Sequence, residues 1–520
     1  MDDTRTPSTP FLHPLMQDAP PQRIAAGVIV LAGLLIALLL HLQAGDHLPT
    51  PWDDESHFLV PARNMAHGLG LVAPQLNAPR GMFWMPDGYA LVVGLLFFVI
   101  PPSLEAARWI SFTVVMGAAF GFYHLSRRLQ LPPLLGALLA AVWLVTPRVV
   151  VMGNIARMEA LVIAWIVLAL LLAANDRWLM AAAAASLAAL THPIGIPLFL
   201  IFPLMALLYR RSWRPRRRLE WAILAAVGIV WLAEIIRFIH FSDVAQAQLA
   251  FQLARKGQSG IPLTVMHLAV LLINLHGALV CWLMRKAGAR EADRLALLMT
   301  LFLLAGALAM VYPLGREDWY EVYTTETANV LSLLALLGLR SLLKSPDAPR
   351  AWSRPPVRVM PRVMLLSVLI VVVPHLVVSL NQTEPIHSFG HGMSIDDSDH
   401  AAWADFMAQV EAKLTQLDQS LDEPALVVVD RLSNIGFLLT DNPWQHLRLV
   451  QVTPVTPLAD DAPVSFALFT NYPPLWKQQQ IEARYPDAPE MLRVDSADGE
   501  FSLRLFDLRQ SPSPALLLAT

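Results

Sequence analysis

Charge is scarce in this sequence. Only 15% of its 520 residues are Asp, Glu, Lys or Arg, where a soluble chain carries about a quarter. With 55% hydrophobic residues and a mean hydropathy of +0.49, the chain is excluded from the ordinary soluble class. Cysteine is nearly absent as well. The single one, Cys281, lies inside an apolar run, which excludes a disulfide framework and a cysteine metal cluster. No glycine-rich phosphate loop, metal-ligand spacing or internal repeat is visible, so neither a cofactor nor a metal is expected. The net charge of −3 excludes nothing by itself, because charge in membrane proteins counts by side.

What is present is a series of long apolar segments. The first, 24–42, has close to the ~20 residues a spanning helix needs. It exceeds a signal-peptide core and no small-residue cleavage pattern follows, so it reads as an uncleaved anchor. Ten more follow at 109–125, 131–146, 160–174, 178–190, 194–209, 219–239, 261–284, 295–311, 330–343 and 363–378. The expectation is an α-helical polytopic membrane protein of about eleven transmembrane helices. Arginine clusters at 127–128, 210–218 and 285–294, and the basic residues Lys344, Arg350, Arg354, Arg358 and Arg362, then all fall on the cytoplasmic side. They are topology anchors, and no nucleic-acid partner is expected.

Three regions follow from this pattern. Residues 1–23 form a polar, proline-rich, disordered cytoplasmic N-terminus. Residues 24–380 are the membrane module, with a large structured outer loop at 43–107. Within that loop, 58–67 and 89–100 read as interfacial helices, the second too short to span. From 381 to 520 the composition becomes that of a soluble α/β domain on the same outer side, periplasmic or extracellular. A helix at 397–417 and strands at 425–430, 447–452 and 464–470 precede a helix at 476–484 and a terminal hairpin around Ala497-Asp498-Gly499.

Ionisable residues gather at the outer ends of the spans, opposite the basic anchors. Asp53-Asp54-Glu55 follow the first span, where carboxylates accept a proton, bind a cation or steer a charged substrate. The plainer reading is three acids set against a helix N-terminus. Phe58, Pro61, Ala62, Met65 and Ala66 make a lipid-facing stripe on that helix. Arg157 either grips a phosphate through its planar fork or sets helix depth by pairing with Glu159 or a lipid headgroup. Glu234 and Arg237, three apart on one helix, pair with each other. Arg255 and Lys256 suit a lipid phosphate or a snorkelling role equally. Tyr320, with Trp319 and Tyr323, either stacks on a sugar or anchors the chain in the aromatic belt. His267 and His276 read as polar residues of their span.

In sequence, Asp54-Glu55-Ser56-His57-Phe58 followed by Arg63-Asn64-Met65-Ala66-His67-Gly68 resembles the first outer loop of the GT-C membrane glycosyltransferases. That family includes the protein O-mannosyltransferases and the lipid A aminoarabinose transferase. Pro86-Asp87-Gly88-Tyr89 resembles its proline-Gly-Tyr step, and Arg157-Met158-Glu159 its Arg-x-acid step into a span. Thr191-His192-Pro193-Ile194-Gly195 resembles a Thr-Lys-x-Gly step, with His192 in place of Lys.

The resemblance covers about residues 24–260 and the later spans in layout. It implies transfer of a sugar from a polyprenyl-phosphate donor to a glycan, lipid or protein acceptor at the outer face of the inner membrane. Asp54 is then the base of an inverting displacement, with Asp53 and Glu55 as rivals. Arg157, His192, Arg255 and Lys256 fall to the donor phosphate, and Glu159, Asp87, Tyr89 and Tyr320 to substrate. A flippase of lipid-linked sugars and a non-catalytic relative are the competing classes. Acids in loops rather than at the midplane, and the absence of a repeat, count against transport.

Overall fold

A computed structural model describes residues 20–44, 53–76, 78–83, 85–209, 215, 217–258, 265–286, 291–315, 321–343, 397–429, 444–451, 464–470, 488–497, 499 and 502–509. Ten of the eleven expected apolar segments are helices, and the eleventh, 363–378, lies outside the described residues. The bundle runs through α1 (Pro20–Ala44), α4 (Leu104–Arg128), α5 (Pro133–Val145), α7 (Met158–Ala174), α8 (Trp178–Thr191) and α9 (Gly195–Leu208). It continues in α10 (Arg218–His240), α12 (Val265–Lys286), α13 (Ala292–Gly315) and α14 (Glu321–Leu343). Among the described residues, four helices are long and apolar enough to cross a membrane: Pro20–Leu42, Leu104–Arg128, Arg218–His240 and Ala292–Met310. Shorter neighbours complete one continuous core with Trp143, Trp178, Phe202 and Phe302 at its centre.

Local chemistry sets the boundaries. Ser103 caps α4 by accepting from the Ala106 amide at 3.0 Å, and Arg127 and Arg128 close its last turn against the helix dipole. The apolar run at 131–146 breaks at Thr146-Pro147, where a separate short helix α6 (Pro147–Gly153) begins. α8 is built largely of alanine, so α7 and α9 approach it closely. A Cβ on Gly195 would lie 2.2 Å from the Ala188 carbonyl carbon, so only glycine fits where α9 leaves α8. One buried cation staples the far end of the bundle. Arg294 donates to Gln130 Oε1 (2.9 Å), to the Leu129 carbonyl (2.8 Å) and to the Gly338 carbonyl (3.1 Å).

The first loop is a compact unit. Its helix α2 spans Asp53–Ala66, so the three acids occupy the first turn instead of preceding it. A Schellman ending follows, with Gly68 at φ +79 and bonds from Gly68 N to Met65 O and Leu69 N to Asn64 O. The Asn64 amide then donates to the Val72 carbonyl (2.7 Å) and Gln75 Oε1 (3.0 Å), folding the chain back into the 3-10 turn Pro74–Leu76. Helix α3 (Gly88–Phe97) lies against α2. The expected lipid-facing stripe is corrected here: Phe58 and Ala62 are sealed against Tyr89 and Val93. The segment 241–260, expected as a loop, carries the helix α11 (Ser242–Gln258).

The C-terminal domain has a helix α15 (Asp397–Gln419) and five strands: β1 (Ala425–Val429), β2 (Leu447–Gln451), β3 (Val464–Thr470), β4 (Glu490–Asp495) and β5 (Ser502–Asp507). The sheet order is β2-β1-β3-β5-β4, parallel through β1 and antiparallel at the β4–β5 hairpin. Asp418 holds the entry to β2 by accepting from the amides of Gln445, His446 and Leu447, which keeps its carboxyl below the usual range despite some desolvation. The expected helix at 476–484 lies outside the described residues. One face of the sheet has its own core of Val428, Val450, Phe469 and Phe506, while the other face shares one with the membrane module. Val60, Ala73, Leu76 and Ala78 of the first loop pack in one cluster with Phe406, Val410, Leu414, Leu447 and Leu449.

Candidate functional site

The polar end of the bundle is where α2, α3, α4, α7 and α8 meet. Glu55 is fully buried there, and Arg108 of α4 grips it with two parallel bonds, Nε to Oε1 at 3.0 Å and Nη2 to Oε2 at 2.8 Å. The same Oε1 accepts from the Ala156 amide at 2.7 Å. A bidentate fork plus a backbone donor is the arrangement that lets a carboxylate stay charged in an apolar interior. Glu55 therefore locks the first turn of α2 to α4 and to the residue preceding Arg157.

Glu55 is closed to solvent, with three hydrogen bonds engaging its carboxylate. Asp53 and Asp54 lie in the same first turn, on backbone that the structure describes while their side chains are not. Arg157 opens α7 in extended conformation, φ −133, and its Nη2 lies 3.1 Å from Glu159 Oε1. The ion pair with Glu159 that the sequence suggested is present. Both side chains are largely buried.

Two more of the expected contacts, Tyr89 and Asp87, are buried. Tyr89 is 1% exposed, its ring edge-on to Phe58 and its hydroxyl 3.0 Å from Ser111 Oγ, so it is a core residue. Asp87 is buried against Arg237, which also reaches Glu234 at 3.2 Å and lies 4.4 Å over the Phe83 ring. The expected Glu234–Arg237 pair is thus half of a larger cluster. Burial pushes the Asp87 carboxyl up, to about 8, against the opposing pull of Arg237. Gly88 brings this corner onto the end of α8: a Cβ there would be 2.6 Å from the Leu190 carbonyl oxygen. Just beyond, His192 accepts the Ile194 amide on Nδ1 at 3.0 Å, turning the chain into α9.

Arg255 and Lys256 are on α11, outside the side chains described, and Tyr320 lies outside the described residues. Among the described residues, no three His, Cys, Asp or Glu side chains gather as metal ligands. Sequence reasoning missed Arg108 and His41. Arg108 immediately precedes an apolar run and His41 lies inside one; an ionisable group in either place is the signal to follow.

The fold is a mostly helical membrane bundle with a structured, acid-bearing first loop and a small appended sheet domain, the architecture that the sequence resemblance implied. Among solved structures, the fold is similar to that of ArnT from Cupriavidus metallidurans bound to undecaprenyl phosphate. That likeness has a TM-score of 0.52 at 15% identity, over 94% of this chain and 99% of the other. The apo state of the same ArnT matches at a TM-score of 0.46 and 16% identity, over 95% and 100%. No protein-family model matches the sequence, and no curated protein matches it.

Proposed function

We propose that the protein is a glycosyltransferase of the cell envelope, moving a sugar from a polyprenyl-phosphate donor to a glycan, lipid or protein acceptor. The observation that carries this is the three-way bond of Glu55. By fixing α2 to the Ala156 amide, it holds Asp54 on one side and Arg157 on the other at a single corner. Undecaprenyl phosphate, the lipid held by ArnT of similar fold, is what remains of such a donor once its sugar has left.

The displacement proceeds with inversion. The acceptor hydroxyl gives its proton to the Asp54 carboxylate as its oxygen bonds to the anomeric carbon. The bond from that carbon to the phosphate oxygen breaks, and polyprenyl phosphate departs with both bonding electrons. Arg157 then faces the charge gathering on the phosphate, while Glu159 keeps its guanidinium aimed. Asp53 is the alternative base. Tyr89, Asp87 and Glu55 hold the loop in place, and the active corner with the C-terminal domain faces the periplasmic or extracellular side of the inner membrane. His192, and Arg255 with Lys256 on α11, remain the further donor contacts in this reading, with Tyr320 toward the sugar.

Product analysis tests the reaction. Proteoliposomes receive labelled polyprenyl-phosphate sugar and a crude acceptor extract. Label on an acceptor, lost in Arg157→Met, is the expected result; label still on the lipid and merely moved between leaflets would make the protein a flippase.

A further inference from the structure

His41 is buried at the end of α1, with 3% of its surface exposed. Its ring lies flat on Phe112, centroids 4.2 Å apart and 9° from parallel, with Trp109 edge-on at 4.2 Å. A phenyl ring would fill that slot as well. What imidazole adds is a polar atom, and Nδ1 lies 2.5 Å from Asn154 Oδ1.

The neighbouring bond settles which atom donates. Asn154 Nδ2 donates to the Val150 carbonyl at 2.8 Å, so the amide's oxygen must be the atom facing the ring, and Nδ1 carries the hydrogen. Asn154 also ends α6, its own amide donating to the carbonyls of Val150 and Val151. From there three residues lead to Arg157, passing the Ala156 amide that Glu55 holds. The short link carrying Arg157 is therefore pinned at both ends. One pin comes from the acid-bearing helix and the other from α1.

We infer that His41 is a positioning residue for Arg157, through Asn154, setting the guanidinium for the lipid phosphate of the donor. This rests on the transferase reading above. A side chain that only filled space would not need its Nδ1 hydrogen and would not couple to Arg157.

The test is a double-mutant cycle on the purified full chain, with undecaprenyl phosphate as the probe and dissociation constants read by native mass spectrometry. His41→Phe keeps the stack and loses the hydrogen bond. It should weaken binding about tenfold, as Arg157→Lys should by losing its fork. His41→Gln, which restores an N–H donor, should recover most of that loss. Combined, His41→Phe and Arg157→Lys should bind little worse than Arg157→Lys alone, because the first acts through the second. Losses that simply multiply would overturn the inference and leave the transferase reading standing. So would His41→Gln binding as poorly as His41→Phe. Wild-type protein that ignores undecaprenyl phosphate would overturn both. If His41→Phe does not fold, Asn154→Ala cuts the same bond from the other side and takes its place in the cycle.

Discussion

On the proposed function, single residues divide into those that do chemistry and those that hold them. Asp54→Asn should lower turnover by about a hundredfold or more with the melting temperature unchanged, since a general base contributes on that scale. Initial rates with labelled donor check it, and wild-type rates would transfer the role to Asp53. Arg108 belongs to the second group. Arg108→Met strands the buried Glu55 carboxylate and should destabilise the fold by about 3–5 kcal/mol in denaturant titrations. Glu55→Leu combined with Arg108→Met should restore much of that stability and none of the activity, because the bond to the Ala156 amide is gone. Such a split separates folding from positioning. The acids and Arg157 were legible in the sequence because charge beside an apolar run is conspicuous. The partnership of Glu55 with Arg108 was not, since their side chains meet across distant segments and no local pattern encodes that.

At the scale of elements, apolar length marked the helices and turn chemistry marked their ends. The limits of that reading are equally physical. Helix α2 was expected to start after its acids, but carboxylates are good first-turn residues and the helix includes them. Its stripe looked lipid-facing because an apolar face reads the same against lipid or protein. The structure turns it toward α3 and gives Val60 to the C-terminal domain. That shared core invites a test. Leu76→Asp places a charge among Phe406, Val410 and Leu414, and a buried leucine alone is worth roughly 1.5–3 kcal/mol. The expected outcome is faster proteolysis of the C-terminal domain and lower transferase activity, with the helical bundle still intact by circular dichroism. Unchanged proteolysis would mean the two units do not depend on each other.

For the whole molecule, class and architecture were readable from composition, and the docking of the terminal domain onto the first loop was not. A core shared by Leu76 and Phe406 forces both to one side of the bilayer. Reporter fusions after Pro86 and after Pro385 should therefore agree, and a fusion after Ser212 should give the opposite side. Disagreement between the first two would dismantle the proposed site. The bundle is also uneven in height where it meets lipid. α10, in which no apolar residue is fully buried, has 23 residues and stands about 34 Å tall. α9 exposes Ile196, Leu200, Leu204 and Leu207 along only 14 residues, about 21 Å. A bilayer with an apolar thickness of ~30 Å suits the first and must pinch beside the second. On the transferase reading, headgroups dipping there, beside the turn that holds His192, would let a phosphate anchored by a long prenyl tail reach the depth of the buried Arg157 without being lifted out of the membrane.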